Sequence, residues 1–460
     1  MERRNFLKWL SSGAAGWGFG ASSPGILGRT RRGVAVESPR EYGEIPVERL
    51  FGPHKPYQVD TGVIRPMREK MTVFSRNLWD PERIEAQKNA ENLAYQRLVE
   101  GKGRVPENTR LDYALMTAAW SYAFTGGLTY RWHGPSGMAR SEGMAELGPW
   151  NPGDIDMTWE DATRAVKHAG LFYGASLAGV AELNPLWIYT DIHSPGREDR
   201  GRALPVLTEG ERFEQTAEAW YIPRSMNRVV ALAFEEDFFA IANSPGKLAS
   251  AAVGDGYSRM AVTSSTLAEF IRALGYRALP AGNGVGLSIP IAIDAGLGEL
   301  GRMGLLVTPK YGPRVRLAKV ITDMPLIPDR PIRFGVTEFC ETCMLCAEHC
   351  PSGSVSDGPR TWKGRSPSNN SGTYKWYITP ETCFDYNGFS CSTCKRVCPF
   401  TKPNNSWLHR LIREVIKGRV RPLNDLMVDL DQASGYGEPL SDIEFWKMDG
   451  SKSRTAREKM

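Results

Sequence analysis

The stretch Cys340-Glu341-Thr342-Cys343-Met344-Leu345-Cys346-Ala347-Glu348-His349-Cys350-Pro351 decides how this chain is read. Three cysteines follow one another with two residues between them, and a fourth comes after a gap of three with proline behind it. A second set, Cys383-x7-Cys391-x2-Cys394-x3-Cys398-Pro399, repeats that ending and stretches the first interval. All eight cysteines of the 460-residue chain belong to these two sets, and none lies upstream of Cys340. An even cysteine count is compatible with disulfides in an exported protein, but tight C-x2-C spacing suits a metal cage better than a crosslink.

The first set reproduces every spacing of the bacterial ferredoxin run, whose first three thiolates turn around one corner of a cubane while the fourth, before proline, ligates the other cluster. Cross-ligation assigns Cys340, Cys343, Cys346 and Cys398 to one 4Fe-4S cluster, and Cys383, Cys391, Cys394 and Cys350 to a second. The seven-residue interval after Cys383 replaces a tight turn with a loop, which is where a three-iron cluster would enter as a variant, although four thiolates remain available. A pair of zinc sites or a disulfide knot is the alternative that the doubled Cys-Pro ending opposes. Two clusters in one module make a wire, and what the wire feeds has to lie elsewhere in the chain.

Working outward, 460 residues exceed one hydrophobic core, and 41% hydrophobic with 24% charged residues is ordinary globular composition. The formal charge of +5 arises at the N-terminus, because residues 1–40 hold seven of the 57 Lys and Arg but two of the 52 Asp and Glu. The remaining body is balanced and carries no broad electrostatic footprint for nucleic acid. Nothing beyond the N-terminus is apolar for long enough to cross a bilayer. The opening Arg3-Arg4-Asn5-Phe6-Leu7-Lys8, followed by Trp9-Leu10, a Gly, Ala and Ser run and Ala21-Ser22-Ser23-Pro24, reads as a twin-arginine export signal. A basic tail on a cytoplasmic protein is the plainer alternative. The twin-arginine route moves folded proteins, which suits a chain whose cofactors are inserted before export.

The expected organisation is a signal and linker at 1–40, an N-terminal arm at 41–150, a catalytic α/β core at 151–335, a ferredoxin-like module at 336–405 and a C-terminal extension at 406–460. Residues 41–108 lack sustained periodicity and read as a wrapping arm. Helical apolar spacing covers 111–126. A helix from Trp159 leads to a buried strand candidate at Leu177-Ala178-Gly179-Val180-Ala181, and Leu186-Trp187-Ile188-Tyr189 is strand-like. Arg228-Val229-Val230-Ala231-Leu232-Ala233-Phe234 reads as a central strand. A helix follows from Tyr257 to Leu274, then a Gly-rich turn at 282–286, a helix over 289–295 and a strand at Leu305-Leu306-Val307-Thr308. The loop at 360–373 separates the cysteine sets, and 407–417 is helix-like. Alternation of strands and helices predicts a mixed α/β class, or α+β, with N- and C-terminal extensions wrapped on it.

An electron acceptor upstream of the clusters has no cysteine and few histidines to draw on, so haem or another metal centre lacks obvious ligands. The turn at 282–286 fails G-x-G-x-x-G, because Leu287 and Ile289 stand where the third glycine would fall, which leaves flavin and nicotinamide with little support. Four runs carry a more specific signal: Gly254-Asp255-Gly256-Tyr257-Ser258-Arg259-Met260; Gly275-Tyr276-Arg277-Ala278-Leu279-Pro280-Ala281-Gly282-Asn283-Gly284-Val285-Gly286; Ala295-Gly296-Leu297-Gly298-Glu299-Leu300-Gly301-Arg302-Met303-Gly304; and Thr308-Pro309-Lys310-Tyr311-Gly312-Pro313-Arg314-Val315-Arg316-Leu317. With Phe334-Gly335-Val336-Thr337-Glu338-Phe339-Cys340 and the paired-arginine start, they resemble the reductive dehalogenase family over about 165–405.

The resemblance implies a cobalamin-type corrinoid in the core, fed by the two clusters, with Tyr257 as the phenol that supplies a proton and Arg316 and Asn283 as the guanidinium and carboxamide beside it. That assignment is chemically coherent. A free phenol of pKa ~10 keeps its proton at neutral pH, a neighbouring Arg stabilises the phenolate left behind, and an amide N-H can face developing charge. Read singly, Tyr257 could equally be a packed aromatic, Arg316 an ion-pair residue and Asn283 a turn residue favoured by its glycine neighbours.

Gly296, Gly298, Gly301, Arg302 and Gly304 are expected to let backbone approach the corrinoid, against the plainer reading of a helix-to-strand turn. Asp191-Ile192-His193-Ser194-Pro195-Gly196 has a D-x-H-x-x-G form found in cobalamin proteins, yet its downstream companions are missing and no role is assigned to His193. Trp150 and Trp407 could wall an apolar pocket or simply pack. The resemblance further implies an organohalide substrate, a small integral-membrane anchor protein, an upstream respiratory electron donor and a place on the outer face of the cytoplasmic membrane. An epoxyqueuosine reductase and a non-catalytic iron-sulfur carrier are the competing readings.

Overall fold

The computed structural model describes residues 47–100, 112, 115, 116, 119, 120, 157–193, 202–208, 210–387, 391–401, 422–433, 435 and 437–448. The twin-arginine stretch, most of the helix expected over 111–126, Trp150, Trp407 and the 407–417 helix lie outside them. Asp112, Leu115, Met116, Ala119 and Trp120 are helical, in keeping with the 111–126 periodicity.

Helix α1 (Trp159–Phe172) is capped by Thr158, whose hydroxyl accepts from the Asp161 amide, with Glu160 and Asp161 in its first turn. It leads to strand β1 (Leu177–Glu182), and then, past a smaller sheet, to β2 (Arg228–Glu235). After these come helix α2 (Lys247–Ala273), strand β3 (Ala278–Ala281), helix α3 (Ser288–Asp294) and strand β4 (Val315–Thr322). The four strands form one sheet in the order β1-β2-β4-β3, and every neighbouring pair is antiparallel. Strands and helices alternate along the chain as expected, while the sheet itself is of the α+β kind. Pro280 sits on the edge strand β3, where its missing N-H disrupts no ladder on the outer side.

The unbroken apolar run of β2 follows from coverage on both faces. Val229, Ala231 and Ala233 face a core built with α3, Trp187 and Ile188, whereas Val230, Leu232 and Phe234 face α1 and α2 through Val166, Leu267 and Ile271. Fully burying residues such as Leu232 and Phe234 contributes about 1.5–3 kcal/mol each. Strand β4 went unrecognised in the sequence because Arg316 and Lys319 interrupt its apolar pattern. Both lysine and arginine sit on the sheet because each has buried polar partners, described below.

Two local expectations need correction. The segment from Pro185 is a 3-10 turn (Pro185–Trp187), not a strand, because the Asn184 side chain accepts from the Leu186 amide and Pro185 fixes the first position; only Ile188 makes a bridge, to Gly286. Helix α2 starts at Lys247 rather than near Tyr257. Gly254 and Gly256 look like breakers in the sequence but lie buried inside the helix, where a Cβ would come within 2.7 Å of the Trp120 ring and 2.8 Å of Arg316 Cγ.

The arm binds both the core and the cysteine module. Lys55 and Tyr57 each reach Asp294 Oδ1 at 2.7 Å at the end of α3, and Arg76 and Arg83 pair with Glu381 and Asp385 at 2.6 Å. Among the glycines after α3, a Cβ on Gly298 would stand 2.2 Å from the Val307 carbonyl oxygen, a backbone atom that cannot swing away. Gly298→Ala is therefore expected to lower stability by about 1–3 kcal/mol, read as a lower denaturant midpoint at unchanged slope. A wild-type midpoint would show that this close approach constrains nothing.

Candidate active site and cysteine module

Strand β4 pairs Arg316 with Phe234 of β2, so Arg316 points to the α2 side of the sheet. Tyr257 stands on α2 facing it, and the absence of a side chain at Gly256 leaves the space that the Arg316 stem fills. The turn after β3 brings in Asn283, and Val285 within that turn has φ 68°, in the left-handed region. The three residues named from the sequence meet at one oxygen. Asn283 Nδ2 donates to Tyr257 Oη at 2.8 Å, and Arg316 Nη1 donates to the same oxygen at 3.2 Å. The Arg316 guanidinium carbon lies 4.6 Å from the centre of the Tyr257 ring. Both hydrogen bonds use lone pairs of the phenol oxygen, so neither consumes its proton.

Four residues around this trio were missed. Trp120 stacks on Tyr257 with ring centres 5.3 Å apart and a 30° tilt, its indole N-H donating to the Ser250 carbonyl at 3.1 Å. Glu236, just beyond β2 and fully buried, accepts from Arg316 Nε at 2.9 Å and from Lys395 Nζ on its other oxygen. Burial alone would raise the Glu236 carboxyl, but Lys395 and then Arg316 outweigh it and hold it below the usual carboxylate range. The available signal was Glu235-Glu236, two acids ending an otherwise apolar buried strand. On the opposite face of the sheet, Lys319 donates to the Gly282 carbonyl at 2.6 Å and to Ser288 Oγ at 3.0 Å, pinning the base of the turn that carries Asn283. Burial pulls Lys319 below the usual lysine range and pushes nearby Glu69 above the usual carboxylate range.

The cysteine module begins with a short helix (Val336–Thr342) and includes another at Thr393–Arg396. All eight thiols are free; Cys340, Cys343, Cys346 and Cys398 are buried, and Cys383 is the exposed member. Burial raises Cys340 to about 11 and Cys343 to about 12. After burial, the groups acting on Cys398 include Cys340, Cys343 and Cys346, whereas those acting on Cys394 include Cys383, Cys391 and Cys350. The thiols thus gather in two sets of four, which approach each other at Cys346 and Cys394. Buried donors without a hydrogen-bond partner among the described residues lie in the same module, Arg396 Nε and Nη1 and Trp376 Nε1. Unpaired buried N-H groups are what an anionic, thiolate-bound cluster would satisfy.

The stretch from Gly296 to Gly304 makes its contacts within the protein. Gly296 and Gly304 have φ near +75°, the Cβ of Gly298 or Gly301 would collide with Val307, and a Cβ on Gly304 would touch Ile378. Arg302 is buried and donates to the carbonyls of Cys340 at 3.0 Å, Ser356 at 2.8 Å and Gly358 at 3.0 Å, with its guanidinium 4.5 Å from the Trp376 ring. Its engaged side chain ties the core to the cysteine module. His193 is buried on a short strand, and its amide donates to Glu69; residues 194–196 of that motif lie outside the described residues.

Comparison with known proteins places these features in context. A family profile described as a 4Fe-4S double cluster binding domain matches residues 339–401. The tetrachloroethene reductive dehalogenase of Sulfurospirillum multivorans is 37% identical over 360 residues, covering 73% of this chain and 70% of that protein. The tetrachloroethene reductive dehalogenase of Desulfitobacterium hafniense is 38% identical over 312 residues, covering 62% of this chain and 56% of that one. A solved reductive dehalogenase, described in connection with B12-dependent dehalogenation, aligns with TM-score 0.59 at 21% identity over 88% of this chain, a likeness of fold. The chain spans 50% of that solved protein.

Proposed function

This chain belongs to the reductive dehalogenase family, and from that premise we propose that it replaces a halogen of an organohalide with hydrogen, consuming two electrons and one proton and releasing halide. The observation that carries the reading is the single oxygen of Tyr257 that receives N-H groups from both Asn283 and Arg316. When the phenol gives up its proton to the substrate carbon, those two donors already face the charge left behind, so no reorganisation is needed at that moment. Arg316 compensates the phenolate with a full charge, and Asn283 does so with a dipole. Trp120 closes one face of the ring against water.

Electrons reach the site through two 4Fe-4S clusters in the double-cluster domain, one held by Cys340, Cys343, Cys346 and Cys398 and the other by Cys350, Cys383, Cys391 and Cys394. A bound corrinoid, the group named for the solved relative, supplies the strong reductant that no side chain provides. With such a group bound, the trio would have only to serve the substrate. Gly296, Gly298, Gly301, Arg302 and Gly304 remain the candidates for the corrinoid's surroundings, with Arg302 also donating to carbonyls of the module.

Incubating the reduced, cofactor-loaded protein with halogenated ethenes, ethanes and aromatics and measuring released halide tests the reading. Halide from at least one class is expected, with tetrachloroethene the first choice because relatives are named for it. Protein with both clusters and cobalt that releases none is not a dehalogenase of these compounds; clusters without any cobalt uptake would favour an electron carrier. Asn283→Ala should lower kcat by about 10²-fold with KM little changed, as for removal of one preorganised donor; an equal rise in KM would make Asn283 a binding residue instead.

The proposal extends to the protein's place in the cell. Arg3-Arg4-Asn5-Phe6-Leu7-Lys8 supports twin-arginine export to the outer face of the cytoplasmic membrane. No helix among the described residues is long and apolar enough to cross a membrane, and a small integral-membrane anchor protein together with an upstream respiratory electron donor completes the arrangement. Export that survives replacement of Arg3 and Arg4 by lysine would remove the twin-arginine element.

A further inference from the structure

The Tyr257 site and the cysteine module share a buried chain of charges. Arg316 uses one edge of its guanidinium for the phenol and the other for Glu236. Glu236 uses one carboxylate oxygen for Arg316 and the other for Lys395, which directly follows Cys394. Side-chain exposure falls from 22% at Arg316 to 5% at Lys395 and 0% at Glu236. We propose that Glu236 and Lys395 are positioning residues, which hold Arg316 against Tyr257 and tie the acid site electrostatically to the cluster ligated by Cys394. This rests on the dehalogenase reading above for what Tyr257 does.

The charge count explains why both residues are needed. Glu236 alone fixes the Arg316 fork in the geometry that aims Nη1 at the phenol, but a lone carboxylate would also cancel the guanidinium charge felt there. Lys395 offsets Glu236, so the group of three keeps a net positive charge at the place where a phenolate forms. In a buried setting such charges act over several ångströms with little screening. Stability does not ask for this arrangement, since well-packed apolar residues replace buried ion groups at little or no cost. Lys395 is also the residue next to Cys394, so a cluster held there would feel a positive charge that favours an added electron.

The backbone around the chain is held independently of the Lys395 side chain. Arg314 donates to the Thr401 carbonyl at 3.0 Å and to Glu235 Oε1 at 3.2 Å, and its own carbonyl accepts from the Glu236 amide at 2.8 Å. Thr401 Oγ1 in turn donates to the Lys395 carbonyl. Removing the Lys395 amine therefore leaves the contact between core and module in place.

The test uses the full chain loaded with clusters and corrinoid, as wild type, Lys395→Met and Lys395→Arg, with Glu236→Gln alongside. For Lys395→Met, iron and cobalt contents are expected to match wild type, and kcat to fall by about 10- to 100-fold with KM unchanged, in the range of losses seen when groups behind a primary site are removed. Lys395→Arg should recover most of that loss. Redox titration followed by EPR should show one cluster of Lys395→Met shifted to lower potential while the other stays put. Wild-type kcat in Lys395→Met, or equal losses in the Met and Arg variants with KM rising in step, overturns the positioning role. Unshifted potentials for both clusters overturn the electrostatic tie, and because that readout needs no turnover it holds even if wild type releases no halide, the outcome that would sink the dehalogenase reading instead.

Discussion

Tyr257→Phe is expected to lower the turnover number by about 10²- to 10⁴-fold, the span over which a positioned proton donor acts, with iron and cobalt contents unchanged. The substitution removes one oxygen and little else. The Phe ring keeps its stack on Trp120 at 5.3 Å and its place under the Arg316 guanidinium, and Arg316 keeps its 2.9 Å bond to Glu236. Two hydrogen bonds to the phenol are lost, but Asn283 and Arg316 lie in a part-buried site that water reaches, so stability should change by no more than about 1–2 kcal/mol. A loss of activity without loss of cofactors or fold isolates the proton-donating role. Halide release at the wild-type rate would remove Tyr257 as the acid and redirect attention to solvent or another donor.

What the sequence disclosed follows from how local each signal is. The cysteine sets are legible because cluster ligation fixes spacing within a dozen residues, and β2 is legible because a strand covered on both faces must be apolar without a break. Tyr257, Arg316 and Asn283 were reached by resemblance, since nothing local marks a tyrosine inside a helix as different from a packed one. The start of α2 was missed because Gly254 and Gly256 look like breakers until Trp120 and Arg316 are seen to need their missing side chains. The acid pair Glu235-Glu236 marked Glu236 as unusual, but its partner Lys395 was invisible for the same reason on a larger scale: 159 residues separate them, and the pairing has no meaning until the sheet and the module pack together. Strand β4 escaped because its charges read as exposure, whereas Lys319 is fully buried on two oxygens.

Cys398→Ala is expected to abolish dehalogenation and to reduce iron from about eight to about four atoms per chain, because a cubane that loses one of four thiolates in a buried site is poorly retained. The informative comparison is among variants. Cys398 stands in the second sequence set, close to Cys394, yet in space its thiol is acted on by Cys340, Cys343 and Cys346. The cluster surviving in Cys398→Ala should therefore have the EPR spectrum and potential of the one surviving in Cys343→Ala. Conversely, Cys350→Ala, whose thiol acts on Cys383, Cys391 and Cys394, should match Cys394→Ala. If Cys398→Ala matches Cys394→Ala instead, each cluster is held by its own sequence set and the crossed arrangement is wrong. Serine at the same positions gives a second reading, because an alkoxide ligand can retain the cluster with an altered potential, and the cluster so altered identifies the set to which each cysteine belongs.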